Sequence, residues 1–352
     1  MKNISADILR IIDANINRTG EGLRVLEEYA RLSLNDSALS QQLKSLRHKL
    51  VNINSTLQQS LIGARDAAGD VGSKMDVPAE DKSRDISASV IANTRRVQES
   101  LRVLEELAKA PEIGLDSENY RQSRFELYTI EKDLLGRLTR QDKVNKITGL
   151  YVIIDTDWLK GRRPEDIARQ AIKGGANVIQ LRCKSGNIQD FLAIAENIKP
   201  ICAEKDIPFI INDSLEVALA CHADGLHIGQ DDLPVKVARK LIPIDMLLGC
   251  SARTREEAMN ALEEGADYLG VGAVFSTSTK DSAAIGLDSL ESIIKAVSLT
   301  VIAIGGINKD NIAGVMKAGA VAAAVISAVL GEQNVEKATR QLVNIIMEQK
   351  DE

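Results

Sequence analysis

Aromatic residues make up only 3% of the 352 positions, so packing must rest on Ala, Val, Ile and Leu, which suits a helix-rich or parallel α/β protein better than a sandwich. Cysteine is scarce as well. Cys183, Cys202, Cys221 and Cys250 are scattered without a C-x-x-C pair and read as reduced, mostly buried thiols of a cytoplasmic protein. No stretch reaches the roughly 18 apolar residues of a membrane span, and the opening Met1-Lys2-Asn3-Ile4-Ser5-Ala6-Asp7 holds no apolar signal core. No basic stripe stands against the net charge of −6, which argues against nucleic acid or a membrane surface as partner. A local cluster of cations is therefore a candidate site. A G-x-x-x-x-G-K-[ST] phosphate loop is missing, and so is a convincing Ser-His-Asp or Cys-His arrangement.

What is present divides into two grammars. From residue 5 to about 143 long amphipathic segments carry Leu at i, i+3 and i+4 with charges between them, the pattern of helices. An internal repeat runs through this half. Asn15, Arg18, Glu21, the run Leu23-Arg24-Val25-Leu26-Glu27-Glu28 and Ala30 recur 78 positions later as Asn93, Arg96, Glu99, Leu101-Arg102-Val103-Leu104-Glu105-Glu106 and Ala108. A weaker echo sets Leu46-Arg47 against Ser123-Arg124 at an offset of 77. An all-helical domain over 1–145 is expected, with copies at about 8–60 and 86–137 related by a pseudo-twofold axis. The repeated polar stripe has two readings: ion pairs at helical spacing, such as Arg24 with Glu28, or a polar cleft in which Asn15, Arg18 and Glu21 meet Asn93, Arg96 and Glu99. Between the copies, Ala64 to Ser73 and Ser83-Arg84-Asp85 read as loop and are candidates to cap that cleft.

Beyond the boundary near 145, short β-rich runs alternate with helical segments. The runs are 150–155, 176–182, 208–212, 225–228, 246–250, 268–271, 301–304 and 322–326. Eight strands with helices between them, over 146–352, make a (β/α)8 barrel the simplest fold, with a doubly wound sheet as the alternative. Polar residues gather at the carboxyl ends of the runs from the second to the eighth: Gln180, Arg182 and Lys184; Asn212 and Asp213; Gln230, Asp231 and Asp232; Ser251; Thr277 to Lys280; Gly305 and Gly306; Ser327. Barrel enzymes collect their chemistry at that face. Gln180, Arg182 and Lys184 share one side of a strand end, which suits an anionic ligand with a polar ring.

Seven motifs in one order resemble those of the thiamine phosphate synthases: QLRCK at 180–184, IIND at 210–213, DGLHIGQDDLP at 224–234, GCS at 249–251, GVGAVFSTSTK at 270–280, AIGGI at 303–307 and VIS at 325–327. The resemblance implies joining of a hydroxymethylpyrimidine diphosphate to a hydroxyethylthiazole phosphate, giving thiamine phosphate and diphosphate. It implies Mg2+ held by Asp213 and Asp232, with Asp231 ranked behind them. The diphosphate falls to Arg182, Lys184, Asn212, Ser251 and Lys280, and the aminopyrimidine to Gln180. The thiazole phosphate falls to Thr277, Thr279, Gly306, Ile326 and Ser327, where glycines and helix N-termini offer backbone N–H groups. A dissociative alkyl transfer needs no nucleophile; it needs charge neutralisation on the leaving group and a dry, positioning pocket.

Two positions depart from the family pattern: Cys183 stands where a glutamate is usual and Ser278 where a proline is usual, and neither removes an assigned charge. Cys183 points away from Arg182 and Lys184, and Ser278 would loosen the loop after strand 6 as a lid. His222 and His227 read as core or surface residues. The alternatives are a thiazole tautomerase-like enzyme, which shares the barrel but lacks these cations and carboxylates, and a non-catalytic precursor-binding protein. The helical half resembles a domain fused to such synthases and proposed as an alternative hydroxymethylpyrimidine-phosphate kinase. A scaffold or dimerisation bundle fits equally, and a homo-oligomer through either domain is compatible.

Overall fold

Side-chain caps start the helices of the N-terminal half. Ser5, Asp36, Asn54 and Asp85 each accept a hydrogen bond from the backbone N–H three residues on, at 3.5, 3.0, 2.8 and 2.6 Å, satisfying one of the donors that a helix start leaves open. The structure, a computed structural model, describes residues 4–66, 69, 85–277 and 283–349. It divides into two compact units, Met1–Thr139 and Arg140–Glu352.

The first unit contains α1 (Ala6–Glu28), continued by a π-helical turn (Tyr29–Ser33), then α2 (Ser37–Val51), α3 (Ser55–Gly63), α4 (Ile86–Leu107) and most of α5 (Ser117–Asn145). The Leu and Ile stripes fuse into one core that includes Leu23, Leu26, Leu43, Leu101, Leu104 and Leu127, all essentially inaccessible. Each such side chain contributes about 1.5–3 kcal/mol on burial. Helices α1 and α4 approach closely at Gly22, where a Cβ would stand 2.5 Å from Val97 Cγ2. The repeat is visible in contacts as well as letters. Asn15 donates to the Ile11 carbonyl at 2.8 Å and Asn93 to the Ser89 carbonyl at 2.9 Å. Buried Glu27 accepts from Arg47, and buried Glu105 from Arg124, both at 3.0 Å. Arg24 reaches Glu28 at 2.7 Å and Arg102 reaches Glu106 in the same way at 2.6 Å. The ion-pair reading therefore holds for this part of the stripe. The proposed cap over 64–85 lies largely outside the described residues.

The second unit is a closed barrel of eight parallel strands in sequential order. The strands are β1 (Gly149–Asp155), β2 (Val178–Arg182), β3 (Phe209–Asn212), β4 (Gly225–Ile228), β5 (Leu247–Ala252), β6 (Tyr268–Val271), β7 (Thr300–Ile304) and β8 (Ala322–Val325). Crossover helices lie between them, among them α6 (Pro164–Lys173), α7 (Ile188–Glu204), α8 (Leu215–Ala220), α9 (Val235–Leu241) and α10 (Arg255–Glu264), and α11 (Gly286–Ala296) leads into β7. Outward residues such as Val152, Ile179, Leu226 and Leu269 pack under the helices. Inward residues Tyr151, Ile153, Val178, Ile210, Leu247, Tyr268 and Ile302 fill the bore, joined from below by Ile147. Among the described residues no helix is long and apolar enough to cross a membrane.

Candidate active site

Period-2 alternation along each strand determines which side chains enter the bore near its carboxyl mouth. Register pairs Asp155 with Arg182, Asn212 with His227, and Ser251 with Gly270. A cavity of about 470 Å³ opens there. Gln180, Arg182, Lys184, Asn212, Asp213, Asp231, Asp232, Ser251, Thr277, Gly306, Ile326 and Ser327 all line it. Thr279 and Lys280 lie outside the described residues, as does Ser278.

Two cations and their carboxylates stand at one side of the cavity mouth. Arg182 Nη1 donates to Asp155 Oδ2, and Lys184 Nζ to Asp213 Oδ2. Asp155 is only 1% exposed, and among the described residues Arg182 is its ion-pair partner. Asp213 occupies the left-handed region at φ 61°, a conformation that costs about 1–3 kcal/mol outside glycine and that here directs the carboxyl into the mouth. Asn212 Nδ2 donates to Asp213 Oδ1 at 2.8 Å, and the Gly229 N–H to Asp232 Oδ2 at 2.7 Å. Burial and the facing Asp232 carboxylate hold the Asp213 carboxyl above the ordinary range, against the pull of Lys184. Two carboxylates brought together at such cost want a cation between them. Among the described residues no group of three His, Cys, Asp or Glu side chains gathers as a metal cage. A pair of carboxylates completed by water and phosphate oxygens is the donor set that Mg2+ takes.

A run of hydrogen bonds crosses the bore beneath. Gln180 Nε2 donates to Tyr151 Oη at 2.9 Å; Tyr151 Oη meets Tyr268 Oη at 3.3 Å; Tyr268 Oη meets His227 Nδ1 at 3.3 Å; and His227 Nε2 meets Ser251 Oγ at 3.1 Å. Burial pushes the His227 imidazole down to about 4, the Asp232 charge opposing, and raises both tyrosines above their usual range. Glycines make the space: a Cβ on Gly249 would stand 2.2 Å from Tyr268 Cζ, and one on Gly270 2.9 Å from His227 Cε1.

At the far wall Gly305 and Gly306 have φ of 99° and 66°. A Cβ on Gly306 would come within 2.4 Å of the Ser276 carbonyl, so glycine is required on both counts. In the first unit, Asn15, Arg18, Glu21, Arg96 and Glu99 line an open cleft of about 550 Å³ together with Ser100 and Val103. Asn93 is not in its wall; its side chain bridges the Ser89 carbonyl and Arg96 Nη1.

Residues 150–329 match the family model described as thiamine monophosphate synthase, and residues 10–133 the model of the ThiD2 family. The thiamine-phosphate synthase of Thermosynechococcus vestitus is 37% identical over 95% of this chain and 93% of its own, and that of Synechocystis sp. is 36% identical over 96% and 95%. The chain belongs to the thiamine-phosphate synthase family. Among solved structures, the thiamine phosphate pyrophosphorylase of Pyrococcus furiosus shares 41% identity with a TM-score of 0.55, covering 59% of this chain and 98% of that one.

Reading the sequence for strand ends left out β1, which contributes Asp155 and Tyr151 to the site. His227, expected in the core or on the surface, sits within the cavity wall, where its imidazole bonds Ser251. An acidic residue closing an otherwise apolar run, Leu150-Tyr151-Val152-Ile153-Ile154-Asp155, was the available signal for the first. No local signal marks the second, because Tyr151, His227 and Tyr268 come from three strands.

Proposed function

We propose that the barrel cavity holds an aminopyrimidine diphosphate and a thiazole phosphate together and joins them to thiamine phosphate by dissociative alkyl transfer. The observation that carries this reading is the meeting, on one cavity, of Arg182 and Lys184 with the facing pair Asp213 and Asp232. Cations beside a carboxylate pair suit a polyanion that arrives with a dication, and Mg2+ is the dication we assign to Asp213 and Asp232. When bound, it supplies charge neutralisation on the diphosphate oxygens.

The chain's own residues do the rest. Arg182 offers a fork of donors, Lys184 a point charge, and Asn212 and Ser251 neutral donors to the leaving group. The methylene C–O bond breaks and its electron pair leaves with diphosphate. The aminopyrimidine, held at Gln180, spreads the resulting positive charge. The thiazole nitrogen then gives its lone pair to the methylene carbon, forming the C–N bond. The thiazole phosphate lies against Gly306, Ile326 and Ser327, with Thr277 at the near edge. Holding both partners in place provides the proximity that a dissociative reaction requires before water can capture the cation.

Thiamine phosphate formation from the two precursors, with Mg2+ and with excess EDTA, tests the proposal. Product is expected only with the metal, and Lys184→Ala should lower kcat by roughly 100-fold, the size of one lost transition-state donor. Failure of the well-folded protein to make product would favour the precursor-binding alternative. The tautomerase alternative is disfavoured by the presence of Arg182, Lys184, Asp213 and Asp232.

For the helical unit, the cleft lined by both repeats favours a binding role over a bare scaffold. The reading that follows from the family resemblance is a pyrimidine-phosphate kinase. Its test is ADP release by the full chain on addition of ATP and hydroxymethylpyrimidine phosphate. No release would leave the scaffold reading.

A further inference from the structure

The chain of contacts from Gln180 through Tyr151, Tyr268 and His227 to Ser251 spans five strands, and both of its ends reach the cavity. The middle members Tyr151, Tyr268 and His227 border the cavity as well, with Tyr151 only 2% exposed and Tyr268 fully buried. Each hydroxyl in such a chain donates one proton, so with a neutral imidazole the whole chain has only two polarities. In one, His227 carries its proton on Nε2 and every donor points from Gln180 toward Ser251. In the other, it carries its proton on Nδ1 and every donor points back.

We infer that Tyr151, Tyr268 and His227 are positioning residues that lock the first polarity, making Ser251 an outward donor to the diphosphate and Gln180 an outward acceptor for the aminopyrimidine amine. This rests on the reading of the barrel cavity given above. Two ends of the chain lead to it separately. Phosphate oxygens have no proton to give, so a serine serving them must donate, and its Oγ can then only accept from His227. Nε2 thus bears the proton, Nδ1 accepts from Tyr268, Tyr268 from Tyr151, and Tyr151 from an N–H of Gln180. At the other end the amide is indeed turned with Nε2 toward Tyr151, leaving Oε1 for the ligand. An exocyclic amine is a donor and matches it. Gln230 steadies the same strand end by donating to the Ser251 carbonyl at 2.6 Å, which leaves the Ser251 hydroxyl uncommitted to it. Among the described residues the imidazole nitrogens are hydrogen-bonded to Tyr268 and Ser251 and to no carboxylate. The glycines at 249 and 270 fit the same purpose, since a methyl at either would push the Tyr268–His227 pair out of line.

The test is a long-range 1H–15N correlation spectrum of the 15N-labelled full-length protein. The chain has three histidines, and the His227 signals are those lost in His227→Gln. A pyrrole-type Nε2 with a pyridine-type Nδ1 is expected; the Nδ1–H tautomer or an imidazolium at neutral pH would overturn the inference. Tyr268→Phe keeps the ring and removes the donor to Nδ1. It should mix the tautomers and raise KM for the pyrimidine diphosphate about tenfold, the effect of one ordinary hydrogen bond, while KM for the thiazole phosphate stays within twofold. Equal rises in both KM values would show a merely structural role. The two failures separate cleanly. Active enzyme with the wrong tautomer overturns the polarity and spares the reaction; inactive, folded protein with the Nε2–H tautomer overturns the reaction and the roles given to Ser251 and Gln180.

Discussion

At the scale of single residues, Asp155 acts through the cation it holds rather than through contact with a substrate. It is buried at the end of β1, and Arg182 is its ion-pair partner. Removing the arginine therefore does two things: it takes a cation from the site proposed for the diphosphate and leaves a carboxylate stranded in the bore. A stranded charge costs about 3 kcal/mol, somewhat less here because the Arg182 side chain is 23% exposed. Arg182→Ala should lower the urea midpoint clearly, and Asp155→Ala/Arg182→Ala should recover most of that loss without recovering activity. Equal stability of the single and double variants would mean that the pair is not coupled. The cysteines give a second expectation at this scale. Burial pushes the Cys202 thiol up to about 12 and the Cys250 thiol to about 11, and raises Cys221 as well, so few thiolates form at pH 8 and reagent access is poor. Cys183 is half-buried at the edge of the outer layer. Intact-mass measurement after brief iodoacetamide treatment of the native protein should find one adduct, on Cys183; two or more would contradict the burial.

At the scale of elements, the last turns of α5 belong to the barrel. Arg140 donates from Nε to Asp267 at 2.8 Å and from Nη1 to the Ile244 carbonyl at 2.5 Å, and Arg239 reaches the other oxygen of Asp267 at 2.9 Å. Burial lowers Arg239 to about 10 against the pull of Asp267. One carboxylate thus serves a buried and a half-buried guanidinium group, and Asp267→Ala should cost about 3 kcal/mol of stability, read as a lowered urea midpoint with little change in KM. Little of that arrangement was legible from sequence, since Arg140 and Asp267 are 127 positions apart and neither sits in a motif. The strands were legible for a physical reason: a parallel strand covered on both faces reads as an unbroken apolar run. Their carboxyl ends were legible because polar residues stop those runs. The site's interior was not, because alternation hides Tyr151 and His227 among apolar neighbours and only closure of the barrel brings them to Tyr268. The helical repeat was legible in its letters and in the Arg24–Glu28 pair that helical spacing implies, while the pairing of Glu27 with Arg47 and of Glu105 with Arg124 became clear only once α2 and α5 had packed.

At the scale of the whole molecule, one chain carries two cavities lined by different chemistry, each within its own unit. The barrel cavity pairs its cations with carboxylates and suits a polyanion with a dication. The helical cleft sets Arg18 and Arg96, one from each repeat, beside Glu21 and Glu99. Arginines suit a phosphate, and the nearby carboxylates suit a ring amine or a proton to be taken up. If the helical unit makes the diphosphate that the barrel consumes, the two losses must be separable by choice of substrate. Arg18→Ala/Arg96→Ala should abolish thiamine phosphate formation from ATP, pyrimidine monophosphate and thiazole phosphate, yet leave it within twofold when the pyrimidine diphosphate is supplied. Lys184→Ala should impair both reactions, because the diphosphate must pass through the barrel in either case. Product formation by the double arginine variant from the monophosphate at the wild-type rate would remove the cleft from the reaction sequence. Loss of both reactions in that variant would instead make the cleft a support of the fold, and a urea melt of the same sample would show it as a lowered midpoint.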